Sequence, residues 1–308
     1  MDIYNLGMVS WWESQCYYHA LAYLGREGII LCRPAEPYVC LGLHDDLKQE
    51  IDQEFCCDQG LPLLRRETAG GVVYLDSRQI FYQVVLRRDN PHLPMKRDKL
   101  FATILQPAID IYRSFGLAAN LALPADIQVD GRKCSGNAAG DIGQAVAYVG
   151  NLIIAFDFEL MSRVLKVPTP TYRRCFCKAM QDNILVLADK MNGADIGVVE
   201  SELISGFARI FGELDERSLD DGLKDMAASI RDRLTSYEWL SMPGRRSRIR
   251  RIKIVEGLYL QEAEPGIRTN VPTLIRDGKI EDIHIIEESR SNSALNEVAG
   301  TSSVSTIF

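Results

Sequence analysis

The sequence predicts an α+β fold in which a mixed or mostly antiparallel sheet is flanked by helices. Three observations point there. Helical and extended patterns alternate over the first ~195 residues. The extended runs are joined by short turns, such as Asp130-Gly131, of the kind that link antiparallel neighbours. Apolar residues make up 46% of the 308 and charged residues 25%, which is the composition of a globular protein with a sizeable core.

The elements follow in order. Residues 14–26 carry a helical pattern, and 29–33 and 38–42 are short apolar runs broken by Pro34 and Pro37, as strands are. Residues 46–59 return to helix. Leu61–Arg66 leads into Thr68-Ala69-Gly70-Gly71, after which Val72–Leu75 and Ile80–Leu86 read as two further strands. Residues 96–116 form a long amphipathic helix ending at Gly116. Ile127–Val129 and Ala145–Asp157 are strand-like around the Asp130-Gly131 turn, and helices are expected over 158–165 and 171–192.

A mainly helical unit is expected over 199–241, where Leu219, Leu223, Met226, Ile230 and Leu234 share one helix face. Residues 243–253 then hold six basic side chains in eleven positions. That segment reads as a solvated linker or as a docking surface for an acidic protein partner. It lacks the aromatic interleaving of a nucleic-acid module. Strand-like pieces follow at 254–260, 269–275 and 280–286, the last two joined by Asp277-Gly278, before a Ser/Asn-rich tail. The expected division is residues 1–198, a helical segment and basic linker over 199–253, and a small unit over 254–308.

The composition also excludes classes. No stretch approaches ~18 consecutive apolar residues, so no transmembrane helix and no membrane role is expected. The N-terminus lacks a basic n-region, which argues against a secretory signal. A formal charge of −7 disfavours nucleic acid as a partner. Eight cysteines, at 16, 32, 40, 56, 57, 134, 175 and 177, lack zinc-site spacing, and only four histidines are present. The thiols read as reduced and structural in a cytoplasmic protein. No residue is assigned to a metal.

Two segments carry chemistry. The first runs from Arg65 to Asp76 (Arg-Arg-Glu-Thr-Ala-Gly-Gly-Val-Val-Tyr-Leu-Asp). A small-residue turn between strands lets backbone approach a ligand closely, and its N–H groups can form an anion-binding concavity. Arg66 can add a charge-assisted bond to phosphate or carboxylate. The bland alternative is a hairpin bend with two surface arginines. The second segment is Asp126-Ile127-Gln128-Val129-Asp130-Gly131-Arg132-Lys133-Cys134-Ser135-Gly136-Asn137-Ala138-Ala139-Gly140. Its turn delivers Lys133 onto the start of a strand, followed by residues without bulk that leave room for a ligand. Here the alternative is a solvated lysine. Neither segment is a P-loop or a dinucleotide fingerprint.

In this order, about 60 residues apart, the two segments resemble the lipoate–protein ligase family of the biotin/lipoate ligase superfamily. That family carries Arg-Arg-x-Ser/Thr-Gly-Gly-Gly-Ala-Val-Tyr-His-Asp and later Asn-Asp-Ile-x-x-x-Gly-x-Lys-Ile-x-Gly-x-Ala. The resemblance spans residues ~10–190, taking in Leu41-Gly42, Glu50 and Phe156–Leu165, and continues in outline to Tyr237-x-Trp239. Two departures stand out: Ala69 replaces the first loop glycine, and Leu75 replaces the histidine after Tyr74. The stretch Tyr74–Gln83 is more similar to a divergent subgroup associated with sulfur oxidation through a heterodisulfide-reductase-like complex. Its acceptor is a lipoate-binding protein related to the glycine-cleavage H protein.

The resemblance implies a biotin/lipoate ligase-like catalytic domain with a small α+β accessory domain. It also implies a two-step ligation with ATP and Mg2+ on lipoate or octanoate. Lipoate attacks the α-phosphate of ATP to give lipoyl-AMP, and a lysine of an acceptor protein then takes the lipoyl group. Lys133 would bridge carboxylate and α-phosphate. Arg66, Gly70 and Gly71 would hold the intermediate, while Asp126 and Asn137 would fix the nucleotide. Val72, Tyr74, Ser135, Gly136, Ala138 and Asp157 complete the implied binding set. The rivals are an octanoyltransferase acting through a cysteine thioester and a non-catalytic lipoyl-protein-binding module. Residues 117–125 contain no cysteine where one transferase branch keeps its nucleophile, and residues 140–168 lack the Pro-Cys-Gly of the other.

Overall fold

The computed structural model describes residues 1–93, 97–123, 125–191, 195–263 and 271–281. In chain order the elements are β1 (Asp2–Val9), α1 (Glu13–Tyr23), β2 (Gly28–Pro34), β3 (Tyr38–Leu41), α2 (Leu47–Glu50), α3 (Gln53–Asp58), β4 (Leu63–Arg65), β5 (Val73–Leu75) and β6 (Gln79–Arg87). Then come α4 (Arg97–Ser114), β7 (Asn120–Ala122), β8 (Asp126–Val129), β9 (Arg132–Ser135), β10 (Asn137–Ile142), β11 (Ala145–Ile153), α5 (Phe158–Val164) and α6 (Pro170–Asn183). The chain continues with α7 (Ile196–Phe211), β12 (Asp215–Glu216), α8 (Asp221–Leu234), α9 (Tyr237–Leu240), β13 (Arg251–Val255), β14 (Leu258–Gln261), β15 (Thr273–Arg276) and β16 (Lys279–Glu281).

A six-stranded mixed sheet, in the order β10-β11-β6-β2-β1-β12, is the centre of the molecule. Its inner strands are apolar on both faces because both faces are covered. Ile29, Leu31, Ile80, Tyr82, Val84 and Leu86 point to one side, where α4 and α7 pack through Leu100, Ile104, Leu105, Leu203 and Phe207. Ile30, Cys32, Phe81 and Val85 point to the other, against Cys16, Tyr17 and Leu21 of α1 and Leu223, Ile230 and Leu234 of α8. The helices of 196–234 therefore belong to the two cores of the large sheet. At Gly206 a Cβ would lie 2.6 Å from Pro107, so α7 sits directly on α4.

Three smaller sheets surround this one: β4-β3-β5, β7-β8-β9 and β13-β14-β15-β16. The last shares a third core with the first. Ile252, Ile254, Val255, Leu258 and Leu260 pack with Val39, Leu41, Tyr74, Tyr172 and Phe176.

Several expectations shift in detail. The helix expected over 46–59 is two, because Asp46 and Asp52 each accept a backbone N–H and start a new turn, from Gln49 (3.1 Å) and Phe55 (3.1 Å). The helix expected over 171–192 ends at Asn183, where Ile184 pairs with Lys133 and Leu185 N donates to Lys133 O at 2.8 Å. The strand expected to start at Lys133 is β9, whereas β1, β7, β10 and β12 have no counterpart in the sequence reading. The strand expected over 280–286 is seen as β16, and positions 282–286 lie outside the described residues.

Candidate functional site

The glycine-rich segment is the connection between β4 and β5. Ala69, Gly70 and Gly71 are exposed, and Gly70 has a φ of +103°, a conformation only glycine takes without strain. A Cβ at Gly42 would stand 1.9 Å from the Gly70 carbonyl, so Gly42 is needed for the loop to lie against the end of β3. Leu43 N donates to Thr68 O at 3.1 Å across the same contact.

Arg66 braces this loop from beneath. Its buried guanidinium donates to Ala69 O (3.0 Å), Gly71 O (3.0 Å) and Cys40 O (3.3 Å), fixing the turn rather than presenting free donors outward. Arg65 is fully buried and donates to Leu43 O (3.0 Å), Leu240 O (2.6 Å) and Met242 O (3.2 Å). The neighbouring Glu67 pairs with Arg233 at 2.9 Å and receives Tyr23 OH at 2.8 Å. Its backbone N–H donates to Nε2 of the buried His19, whose Nδ1 bonds Gln15 O, so the imidazole is neutral. Burial pushes the His19 pKa down to about 4, against the pull of Glu67.

The lysine segment is the β8–β9 hairpin. Asp130 and Gly131 both have positive φ and make the tight turn. Lys133 Nζ sits 2.8 Å from Asp126 Oδ1, with the lysine side chain 21% exposed and the aspartate 4%. The other carboxylate oxygen, Asp126 Oδ2, accepts Glu256 N at 2.8 Å from the β13–β14 turn. Gly136 lies beneath the lysine: a Cβ there would be 3.9 Å from Lys133 Cε. Its N–H is held by Asn151 Oδ1 at 2.7 Å, Asn151 Nδ2 donates to Gln79 Oε1 at 2.6 Å, and Gln79 Nε2 donates to Tyr74 O at 3.2 Å. This chain joins the lysine loop to the strand after the glycine loop.

β10 closes the distance between the two segments. Ser135 and Tyr82 hydroxyls meet Asn137 Oδ1 at its start, and Asn137 Nδ2 donates to Ala125 O at 2.8 Å. At Gly140 a Cβ would lie 3.2 Å from Thr68. Between them Ala138 and Ala139 are half-buried. A strip of backbone and methyl groups thus runs from Lys133 to the glycine loop.

The structure therefore brings Lys133, Asp126, Ser135, Gly136, Asn137 and Ala138 together, and sets the far part of β10 against Thr68, two residues before Gly70 and three before Gly71. Val72 and Tyr74 lie on the strand beyond. Tyr74 packs edge-on against Phe156, with ring centroids 6.3 Å apart. Asp157 accepts Leu160 N at 2.9 Å and caps α5, a structural role. Leu75, where the resemblance leads one to expect histidine, is buried in the core with Cys40 and Leu64. Gln79, Asn151 and the Glu256 N–H were missed. For the first two the sequence signal was an amide inside or beside an apolar strand run.

The thiol next to Lys133 in the chain, that of Cys134, is buried, donates to Ile127 O at 3.3 Å and is pushed by burial up to about 12. Burial likewise raises Cys16, Cys32, Cys40, Cys56, Cys175 and Cys177. None of these seven is poised as a thiolate. Among the described residues no group of three or more metal-ligating side chains occurs, and no helix is long and apolar enough to cross a membrane.

Residues 12–208 match the family described as Lipoyl protein ligase A/B catalytic domain. The chain is 25% identical over 215 residues to lipoate-protein ligase A subunit 1 of Thermoplasma acidophilum, covering 66% of this chain and 80% of that one. It is 24% identical over 225 residues to octanoyltransferase LipM of Moorella thermoacetica, covering 66% and 82%. Among solved structures it is similar to a bipartite lipoate protein ligase of an archaeal lipoylation system from T. acidophilum (TM-score 0.69, 21% identity, 80% of this chain and 98% of that). It is also similar to lipoate-protein ligase A bound with ATP (TM-score 0.63, 22% identity, 78% and 98%). With the family match spanning well over half of the chain, and its fold shared with these structures, the chain belongs to the lipoyl protein ligase A/B catalytic domain family.

Proposed function

We propose that this chain is an ATP-dependent lipoate–protein ligase. The observation that carries the reading is Lys133, a lysine ion-paired to Asp126 at the end of a small-residue strip, next to a thiol that is buried and bonded to Ile127 O. Such a site is suited to gathering anions and unsuited to nucleophilic catalysis by sulfur. Structural relatives bound with ATP and with lipoic acid, and one solved as part of a system with its E2 lipoyl domain, support the choice of substrates.

In the first step the lipoate carboxylate oxygen attacks the α-phosphate, forming a C(O)–O–P bond while pyrophosphate leaves. Two anions must approach, and the Lys133 charge offsets their repulsion. In the second step the acceptor lysine amine attacks the mixed anhydride carbonyl, the amide forms and AMP leaves with the electron pair. Positioning by the glycine loop and the β10 strip is the main contribution. Magnesium would enter with the nucleotide and offset the triphosphate charge, since no cluster of metal-ligating side chains occurs among the described residues. The acceptor is a lipoyl domain or an H-protein-like lipoate-binding protein, including the sulfur-oxidation type.

Octanoyl transfer is the second reading, because octanoyltransferase LipM matches at nearly the same identity as the ligase. Intact-mass analysis separates the two. Enzyme, lipoate, ATP and magnesium are expected to add one lipoyl group to a lipoyl domain. Transfer from octanoyl-acyl carrier protein without ATP would instead support the thioester route. Lipoate-dependent pyrophosphate release marks the ligase alone, ATP-independent octanoyl transfer marks the transferase, and a binding module would show neither activity.

A further inference from the structure

The arginine-rich segment is not a free linker. Gly244 packs on the loop after β3, where a Cβ would lie 2.3 Å from the Asp45 carbonyl, and Arg245 N donates to His44 O at 2.8 Å. That loop is the one on which Gly70 rests. Arg246 pairs with Asp46 at 2.7 Å and Arg250 with Glu50 at 2.8 Å, which staple the segment down. It then enters β13, whose five residues end next to Glu256, the donor to Asp126 beside Lys133. The segment therefore flanks the site, from the glycine loop to the lysine.

Pairing leaves a remainder. Arg245 and Arg248 are exposed and have no acidic partner among the described residues, and Arg251, also exposed, lies over the Tyr259 ring at 4.1 Å. Tyr237, on the short helix leading into the segment, is 70% exposed. Arginines without an acidic partner, close in sequence to an exposed tyrosine, are a local excess of positive charge on a chain of net charge −7.

We propose that Arg245, Arg248 and Arg251, with Tyr237, form the docking surface for an acidic acceptor protein, which is thereby held with its lysine facing Lys133. The inference rests on the ligase reading and adds where the acceptor sits and what chemistry recognises it. Charge complementarity of this kind acts chiefly on encounter and register.

The test is the double reversal Arg245→Glu with Arg248→Glu, both at exposed positions, in the full chain. Lipoate-dependent pyrophosphate release and its KM for ATP are expected to stay at wild-type values. KM for the T. acidophilum E2 lipoyl domain is expected to rise about tenfold or more with kcat for transfer unchanged. The wild-type dependence of transfer on salt should flatten. Neutralising carboxylates on that domain by Asp→Asn and Glu→Gln changes should reproduce the effect in wild-type enzyme. An unchanged KM for the domain would overturn the proposal. So would a raised KM for ATP, which would make the row a phosphate site, or an altered oligomeric state of the chain alone, which would make it a self-interface. Failure of the ligase reading has a separate signature, the absence of pyrophosphate release in the wild type.

Discussion

At the scale of single residues, Lys133 and His19 illustrate two uses of a titratable group. Lys133 is paired yet accessible, so truncation removes charge without opening a core. Lys133→Ala is expected to lower lipoate-dependent pyrophosphate release by about 100-fold or more, with the fold retained and the melting temperature lowered because the buried Asp126 carboxylate loses its cation; substantial retained release would remove Lys133 from its proposed role. His19 is the opposite case, a buried neutral imidazole beneath the glycine loop. Its folded pKa, about 4, lies below the ordinary 6.5, so the unfolded chain binds the extra proton between those values. Stability should therefore be lost as pH falls through that window, by at most about 3 kcal/mol. Glu67 acts in the same direction: burial raises its pKa, but the hydrogen bonds and charge of Arg233 and the hydrogen bond from Tyr23 outweigh this and hold it below the usual carboxylate range. Its stabilisation is present above the unfolded value and disappears as pH falls through the lower folded one. Denaturant melts of wild type and His19→Gln at pH 7 and pH 5 check this, and the variant should show the shallower pH dependence.

Among elements, the glycine loop and the lysine hairpin depend on close backbone approach. Gly42→Ala would drive a methyl into the Gly70 carbonyl. It is expected to destabilise by about 1–3 kcal/mol and to raise KM for ATP more than it lowers kcat, as measured by steady-state pyrophosphate release. Asn151→Ala leaves the Gly136 N–H without its acceptor, at a cost of about 1–3 kcal/mol if no water replaces it. These contacts mark the limit of what the sequence reveals. Residues 65–76 and 126–140 stand out in the sequence as candidate stretches because small residues, a turn and a cation lie at short spacing, and the structure brings the two near each other. The strands β2, β6 and β11 were legible because apolar runs between turn signals admit few readings. β1 was not, since its burial pattern does not alternate and Gly7, at φ +59°, interrupts the register with β2. β10 was not either: Ala138, Ala139 and Gly140 have little strand propensity, and their extension is imposed by pairing with β11. Arg66 read as an outward anion ligand, and only three-dimensional packing shows its donors turned to the loop carbonyls.

For the whole molecule, the cores are the lesson. The helical stretch that reads as a separate unit contributes Val199, Leu203, Phe207, Leu223 and Ile230 to the two faces of the large sheet. The amphipathic pattern showed that these helices have a partner without saying which one. The small C-terminal sheet is likewise not an appendage. Five of its apolar side chains complete the third core, each burial contributing about 1.5–3 kcal/mol, against a total stability of about 5–15 kcal/mol. Deleting residues 251–308 is therefore expected to give a chain that is insoluble or lacks fixed aromatic packing around Tyr74 and Tyr172, which near-UV circular dichroism would report. A truncated chain that melts cooperatively at the wild-type temperature would contradict this.

The bond from Glu256 N–H to Asp126 gives the connection between the small sheet and the lysine a particular kind of heredity. The donor is main chain, which every residue but proline supplies. Position 256 can therefore drift through nineteen amino acids while the contact persists, and comparison of related sequences would register no constraint there. The contact is inherited through the shape of the β13–β14 turn rather than through any letter at that position.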